Sequence, residues 1–348
     1  MMALVLSLGL AWQAVSPEAV VHAKAGLEAR QAGKLTKAIS EFKIVTELAP
    51  SFAAGFVNLG AALLENREYA AAVPALQQAL ALDPSLAGAD QMLGYALLSA
   101  GYAAEAIPHL EKVQAQGALG IAQLKTGKLP EAIANLNAAL SKQPNDPDLL
   151  YYLGRASGLL SKEVFDTLES AYPNSARAHQ SIAENYAALR RVPEAETEYK
   201  TALQIKPDTP GIHLALGELY GLASEWPKAE DEFRAEAKLQ PGDAETAYRL
   251  GDALLRNGKT KEAKTQLQRT DQLRPQMPET LLSLGKAAIL DGDLALAEKA
   301  WIQVVAIEKT GPLAEQAHFN LAGLYRKKGQ PSEAEHEMEL FRAMQKSK

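Results

Sequence analysis

Apolar positions along the chain fall on one helical face, stop, resume on a second face, and then the double stripe returns. In residues 53–84 the first stripe carries Phe56, Leu59, Gly60 and Leu63, and the second carries Ala72, Leu76 and Ala79; Pro84 closes the unit. At about 100° per residue, each set lies along one side of a helix. The pattern predicts two helices joined near Asn66, a residue suited to turns. Gly60, Ala72 and Ala79 keep the helices slim where they meet, and larger side chains there would overpack at about 1–3 kcal/mol each. The same skeleton ends one unit earlier at Pro50, 34 residues before Pro84.

The register can be followed in both directions. Ala25-Gly26, Ala38, Phe42 and Val45 mark the first unit, and Leu93-Gly94, Ala106, Leu110 and Val113 the third. It then breaks: Gly120 follows Gly94 by 26 residues, eight short of the period, which clips two helices around 114–117. Ala132, Leu136, Ala139 and Pro144 restore it. Leu153-Gly154 predicts a fifth unit with a short second helix, roughly 162–171, ending at Tyr172-Pro173. Later units are regular, anchored at Ala195 and Tyr199, Leu216-Gly217, Leu250-Gly251, Leu284-Gly285 and Leu321. Pro74, Pro108, Pro130, Pro193 and Pro227 read as second-helix starts, where some amides lack intrahelical partners anyway. Glu236 stands where most units carry a small or apolar residue.

A 34-residue helix pair with Leu59, Gly60, Ala72 and Pro84 in these places resembles the tetratricopeptide repeat. Phe56 replaces its usual Trp and Leu63 its usual Tyr. The resemblance covers nearly the whole chain and is of the bacterial type. It implies an all-α fold, a right-handed superhelical solenoid of antiparallel helix pairs, here of about ten repeats over residues 17–348. Residues 17–111 are regular, 112–175 irregular and shortened, and 176–348 regular again. The last helix, with Glu335, Glu337, Glu339, Arg342 and Lys346, suits a polar terminal cap.

In such a solenoid the first helices line a concave wall that holds a protein or peptide. The residues expected there are Val57 and Ala61, preceded by Ala23 and Leu27 and followed by Gln91 and Tyr95, then Tyr151 and Arg155. Beyond the irregular middle come Gln180 and Glu184, Leu214 and Glu218, Tyr248 and Asp252, Leu282 and Lys286, and Phe319 and Gly323, with Arg256 and Arg326 nearby. The early wall is small and apolar, whereas the later one is aromatic and charged. This predicts apolar contact in the first half and anchored peptide recognition in the second; ordinary solvated helix faces are the alternative. Some family members grip a chaperone's terminal carboxylate with Lys, Asn and Arg on three consecutive first helices. Only Asn58 fits that pattern here, and Ala23, Leu27, Gly88 and Met92 do not.

Composition changes this picture little. The chain has 348 residues, a net charge of −6 and no cysteine, which removes disulfides, thiolate zinc sites and a Cys nucleophile. No basic run points to nucleic acid. His22, His179, His213 and His318 recur at the Phe56 position on separate units, which reads as helix packing, with no metal expected. Gly258-Lys259-Thr260 imitates the end of a phosphate loop, but Ala253 stands where the motif needs Gly, and the tripeptide reads as a turn. No catalytic constellation assembles and no cofactor is implied.

Residues 1–16 open with an apolar run through Trp12 and carry no charged side chain. The run is too short to span a bilayer. It reads as a secretory signal lacking its basic start, with an apolar helix over the first repeat as the alternative. The expected location is therefore periplasmic or secreted, with the cytoplasm as the alternative. The function expected is a non-enzymatic scaffold for a protein or peptide. The resemblance also admits a cell-envelope assembly, secretion or maturation factor, or the recognition module of an enzyme whose catalytic part is on another chain.

Overall fold

The structure, a computed structural model, describes residues 15–346. The first residues of the expected signal segment lie outside that range; Ser16 is the N-cap of the first helix, its Oγ accepting from the Ala19 amide. Every regular element among the described residues is an α-helix. Eighteen of the helices pair into nine hairpins. These are α1 (Pro17–Gln31) with α2 (Leu35–Leu48), α3 (Ala53–Glu65) with α4 (Tyr69–Leu82), α5 (Ala89–Ser99) with α6 (Ala103–Lys112), and α7 (Gln116–Lys125) with α8 (Leu129–Leu140). After α9 (Pro147–Ala171) come α10 (Ala176–Ala188) with α11 (Val192–Ile205), α12 (Ile212–Leu222) with α13 (Trp226–Leu239), and α14 (Ala244–Arg256) with α15 (Thr260–Leu273). The last two pair α16 (Pro278–Leu290) with α17 (Leu294–Ile307), and α18 (Pro312–Lys327) with α19 (Pro331–Lys346). Contacts divide the chain into two compact units, one ending at Val164 and one starting at Phe165. Each is an α-helical solenoid in which a hairpin stacks on the next.

Within a hairpin the helices meet at the small residue the pattern marks. A Cβ at Gly60 would lie 2.5 Å from Leu76 Cγ, one at Gly94 2.7 Å from Leu110 Cδ2, and one at Gly217 2.6 Å from Phe233 Cε1. Only glycine admits the large residue of the second helix so close to the first helix's backbone. The cores are strips of such contacts: Ala38, Phe42, Ala72, Leu76, Ala106 and Leu110 in the first unit, and Ala195, Leu216, Ala229, Ala263 and Leu267 in the second.

Each hairpin turns through one left-handed residue, seven places after the contact residue: Gly33, Arg67, Gly101, Gly127, Arg190, Ser224, Gly258, Gly292 and Gly329, with φ between 58° and 94°. The next amide then bonds back to a carbonyl of the first helix's last turn, as Glu68 does to Leu63 at 2.8 Å, the helix-ending arrangement that favours glycine. Arg67 occupies this geometry at a cost of roughly 1–2 kcal/mol for an L-residue. Arg67→Gly should therefore raise stability by about 0.5–1 kcal/mol after glycine's extra unfolded-state entropy is subtracted. Urea unfolding reads this as a shift in midpoint; an unchanged or lower midpoint would refute it.

Two expectations are corrected. Pro74 and Pro108 lie inside α4 and α6, beyond their first turns, whereas Pro130, Pro193 and Pro227 stand in the first turn of their helices. The second correction concerns the fifth unit, which is not a hairpin. α9 runs unbroken for 25 residues, and Ser161, at the turn register, stays helical. Val164, Leu168 and Ala171 keep the spacing of Ala72, Leu76 and Ala79, but Val164 follows Gly154 by ten residues where Ala72 follows Gly60 by twelve. Two residues of turn are missing, too few for the left-handed reversal, so the helix continues.

Candidate functional site

The first unit carries a groove of about 540 Å³ across three consecutive first helices, α1, α3 and α5. Its floor is made where side chains are shortest: Ala23 on α1, and Gly55, Val57 and Ala61 on α3. Leu27, Leu64, Met92 and Tyr95 form its walls, and Phe52 closes it beneath. The helical repeat places these together: positions one unit apart stack, and residues four apart on one helix share a face. Val57 and Ala61 are nearly buried, while Tyr95 is 40% exposed. Polar groups are few and lie at the rim: Asn58, Gln91, and the pair Arg30–Glu65, in which the guanidinium donates from Nη2 at 2.6 Å and from Nε at 3.0 Å. That pair bridges α1 and α3 and leaves no net charge at the groove.

The second unit holds a different concavity, of about 380 Å³, lined by Glu218, Leu222, Trp226, Arg249, Asp252 and Arg256. Here the charges are internally matched. Arg249 pairs with Glu218 at 3.0 Å, and Arg256 donates to Asp252 at 2.8 Å while lying 4.3 Å over the Trp226 ring. The row of acids expected on this wall is thus partly neutralised by arginines one helical turn or one unit away. Glu184 accepts from Gln180 on its own helix at 2.9 Å. Glu184 and Glu218 both face Tyr199, whose hydroxyl is pushed up to about 12, first by burial and then by their charges. Burial pulls Lys286 down, Asp252 opposes this, and Arg256 adds to it.

The predicted wall residues therefore fall into three groups. Ala23, Leu27, Val57, Ala61, Gln91 and Tyr95 share the first groove. Glu218, Asp252 and Arg256 share the second, with Tyr248 and Lys286 close enough to Asp252 to feel its charge. The rest line neither: Tyr151 and Arg155 stack on each other at 5.9 Å on α9, and Phe319 packs against Phe341 of α19 at 5.4 Å. Sequence reasoning missed Arg30, Glu65, Trp226 and Arg249. The spacing of Arg30 and Glu65, one residue more than the period, was the available signal for the first pair.

It also missed a recurring polar link. Nδ1 of His22, His179, His213 and His318 lies 2.7, 2.6, 2.6 and 2.5 Å from Glu41, Glu198, Glu232 and Glu337, always nineteen residues on, across one hairpin. Asp90 and His109 make the same link reversed, at 2.8 Å. The histidines hold helix to helix, and among the described residues no group of three or more His, Asp or Glu side chains is placed to hold a metal. Glu236 is explained in the same way. Fully buried, it accepts from the Gly211 amide at 2.9 Å, the Leu214 amide at 3.4 Å and Gln240 Nε2 at 2.5 Å. A second-helix carboxylate thus serves the amino end of α12, where the free amides and the helix dipole favour an anion. Glu230, also buried, binds Arg234, Asn257 and Lys259. Burial pushes its carboxyl up, but the bonds from Lys259, Asn257 and Arg234 outweigh this and hold it below the usual range.

Comparison with known proteins follows this geometry. The family model described as tetratricopeptide repeat matches residues 24–87, 58–118, 214–278 and 248–311, and a second, described as TPR repeat, matches 120–158 and 183–222. No curated protein sequence matches the chain. Among solved structures it is similar to YrrB, a TPR protein with an unusual peptide-binding site, at 19% identity over 52% of this chain and 92% of that one, with a TM-score of 0.48. MamA from Desulfovibrio magneticus RS-1 gives 19% identity over 50% and 96%, with a TM-score of 0.47. The type IV pilus biogenesis factor PilW gives 17% over 66% and 92%, with a TM-score of 0.44. The repeat is typically a non-catalytic interaction scaffold, and no described helix is long and apolar enough to cross a membrane. With the family models spanning well over half of its length, the chain belongs to the tetratricopeptide-repeat family.

Proposed function

We propose that the protein is a binding scaffold whose principal contact is the apolar groove on α1, α3 and α5, and that the groove takes apolar side chains of a peptide segment. The observation that carries this is the groove itself: a floor of Ala23, Gly55, Val57 and Ala61 with a sparse, charge-balanced rim. An apolar anchor entering it sheds water from both surfaces, at about 25 cal/mol per Å² of area covered. The few rim amides and the exposed Tyr95 can orient the chain that carries it. The second concavity supports a separate, polar contact, in which a ligand exchanges partners with the Glu218–Arg249 and Asp252–Arg256 pairs.

A panel of fluorescent peptides tests both, read by anisotropy. The wild type should select peptides with a bulky apolar anchor, and Leu27→Asp with Tyr95→Asp should weaken them at least ten-fold. Reversing Glu184, Glu218 and Asp252 to lysine should leave that selection intact and alter only salt-dependent binding. Equal binding by the groove variant would refute the first contact, and an unchanged salt response would refute the second. The apolar segment 1–16 supports a role in the cell envelope, in secretion or in maturation. Mass spectrometry of the mature N-terminus tests export, and an intact Met1 in a cytoplasmic pool would refute it.

A further inference from the structure

The Asn257-Gly258-Lys259 turn between α14 and α15 carries chemistry that its role in folding does not use. Asn257 is the one asparagine in the chain followed by glycine. With no Cβ beside it, the glycine amide nitrogen can reach and attack the preceding side-chain amide carbon, a reaction that makes asparagine one of the thermolabile residues. Asn66 holds the same turn position between α3 and α4, but Arg67 follows it, and the Arg67 side chain crowds the corresponding nitrogen.

In the closed hairpin the attack is blocked. Asn257 has φ −80° and ψ 4°. At that ψ the Gly258 nitrogen eclipses the backbone nitrogen of Asn257, whereas closing a five-membered ring requires it to eclipse Cβ. The Gly258 N–H is also engaged, donating to the Leu255 carbonyl at 3.1 Å. The side chain is tethered as well: Nδ2 donates to the Trp226 carbonyl at 3.1 Å and to Glu230 Oε2 at 2.8 Å. Rotation about the Cα–C bond of Asn257 therefore needs the turn to come apart. An irreversible step taken only from an open form proceeds in proportion to the population of that form.

The product fits the same place badly. Nδ2 is a donor facing two acceptors, and the carboxylate oxygen that replaces it is a third acceptor. Glu230 is 2% exposed, and its cations are committed: Lys259 and Arg234 both bind it, and Arg234 also binds Glu262. A new carboxylate beside Glu230 has no cation of its own there. Where the product is isoaspartate, the backbone gains a methylene just before Gly258, whose φ of 73° makes the reversal. Trp226, which carries Arg256 over its ring, loses the bond that ties its carbonyl to the turn.

We propose that Asn257 is a site of spontaneous deamidation, guarded by the closed α14–α15 hairpin, and that the modification, once made, keeps this hairpin from reclosing. The Gly258 nitrogen forms a bond to Asn257 Cγ, and Nδ2 leaves as ammonia, taking up the Gly258 amide proton. Water then opens the cyclic imide, at Cγ to give aspartate or at the main-chain carbonyl to give isoaspartate. Water is the one co-reactant, and nothing is oxidised or reduced.

Peptide mapping by mass spectrometry follows each asparagine of the full-length protein during incubation in mildly alkaline buffer. In urea, Asn257 should convert ahead of every other asparagine, Asn66 included. In the native chain its conversion should be about ten-fold slower or more. Glu230→Gln, of the same size, should retain the helical circular dichroism and raise the native rate several-fold. Asn257→Asp supplies one product directly. In that variant the Gly258 and Lys259 amides, which bond Leu255 and Leu254, should lose hydrogen-exchange protection, while the Glu68 amide in the corresponding turn of the first unit keeps its own. Native conversion as fast as in urea, conversion led by another asparagine, a rate unmoved by Glu230→Gln, or wild-type protection in Asn257→Asp would each overturn the proposal.

Discussion

Gly285→Ala should destabilise the second unit by about 3 kcal/mol, whereas Gly154→Ala, at the same register of another repeat, should stabilise the first unit by about 0.5–1 kcal/mol. The opposite signs follow from what each Cβ meets. At Gly285 it would fall inside the contact radius of Trp301 Nε1 and Cε2. Trp301 is almost fully buried and cannot swing away, because its indole N–H donates to the Leu282 carbonyl across the hairpin at 3.1 Å. Relief requires either breaking that bond or spreading α16 from α17. At Gly154 no described atom lies within 4 Å of the added Cβ, and alanine's better helix propensity is all that remains. Chemical denaturation with hydrogen exchange resolved by repeat checks both, since a solenoid's units need not unfold together. Equal effects at the two sites would show that the glycine register does not report helix contact.

Removing the Glu236 carboxylate should have a comparably large effect, reached by a different route. Glu236→Ala would remove the acceptor of the half-buried Gly211 and Leu214 amides and open a cavity where the fully buried carboxylate stood, beside Gln240; the expected loss is about 3 kcal/mol. Glu236→Gln retains one acceptor oxygen and roughly the same volume, so its cost should be about half as great. Exchange of the Gly211 and Leu214 amides gives the local readout. Both should lose protection in the alanine variant before the rest of α12 does. Wild-type protection there would show that the carboxylate is dispensable to the helix end.

Seen together, these variants explain why repeats drawn on one skeleton differ in strength. The contact residue sets how near two helices come, the left-handed turn residue sets whether they can reverse, and polar links such as His213–Glu232 and Glu236 on α12 join what packing alone leaves loose. Where the turn is intact, as at Gly258, a hairpin closes. At Ser161 it is shortened, and the same apolar pattern yields a single rod.

The helix pairs, their period and the glycine contacts were legible in the linear order of residues, because Gly60, Leu76 and their equivalents interact with near neighbours at fixed spacing. The grouping that makes the early groove was legible for the same reason: Ala23, Val57 and Gln91 recur 34 residues apart and line it together. Only the folded chain decided the rest. The pairing of Glu218 with Arg249, the stacking of Arg256 on Trp226 and the capping of α12 by Glu236 depend on side-chain direction and reach, which periodicity does not encode. The fusion of α9 turned on two missing residues, a difference that leaves the hydrophobic stripe intact but removes the backbone geometry needed to fold it back.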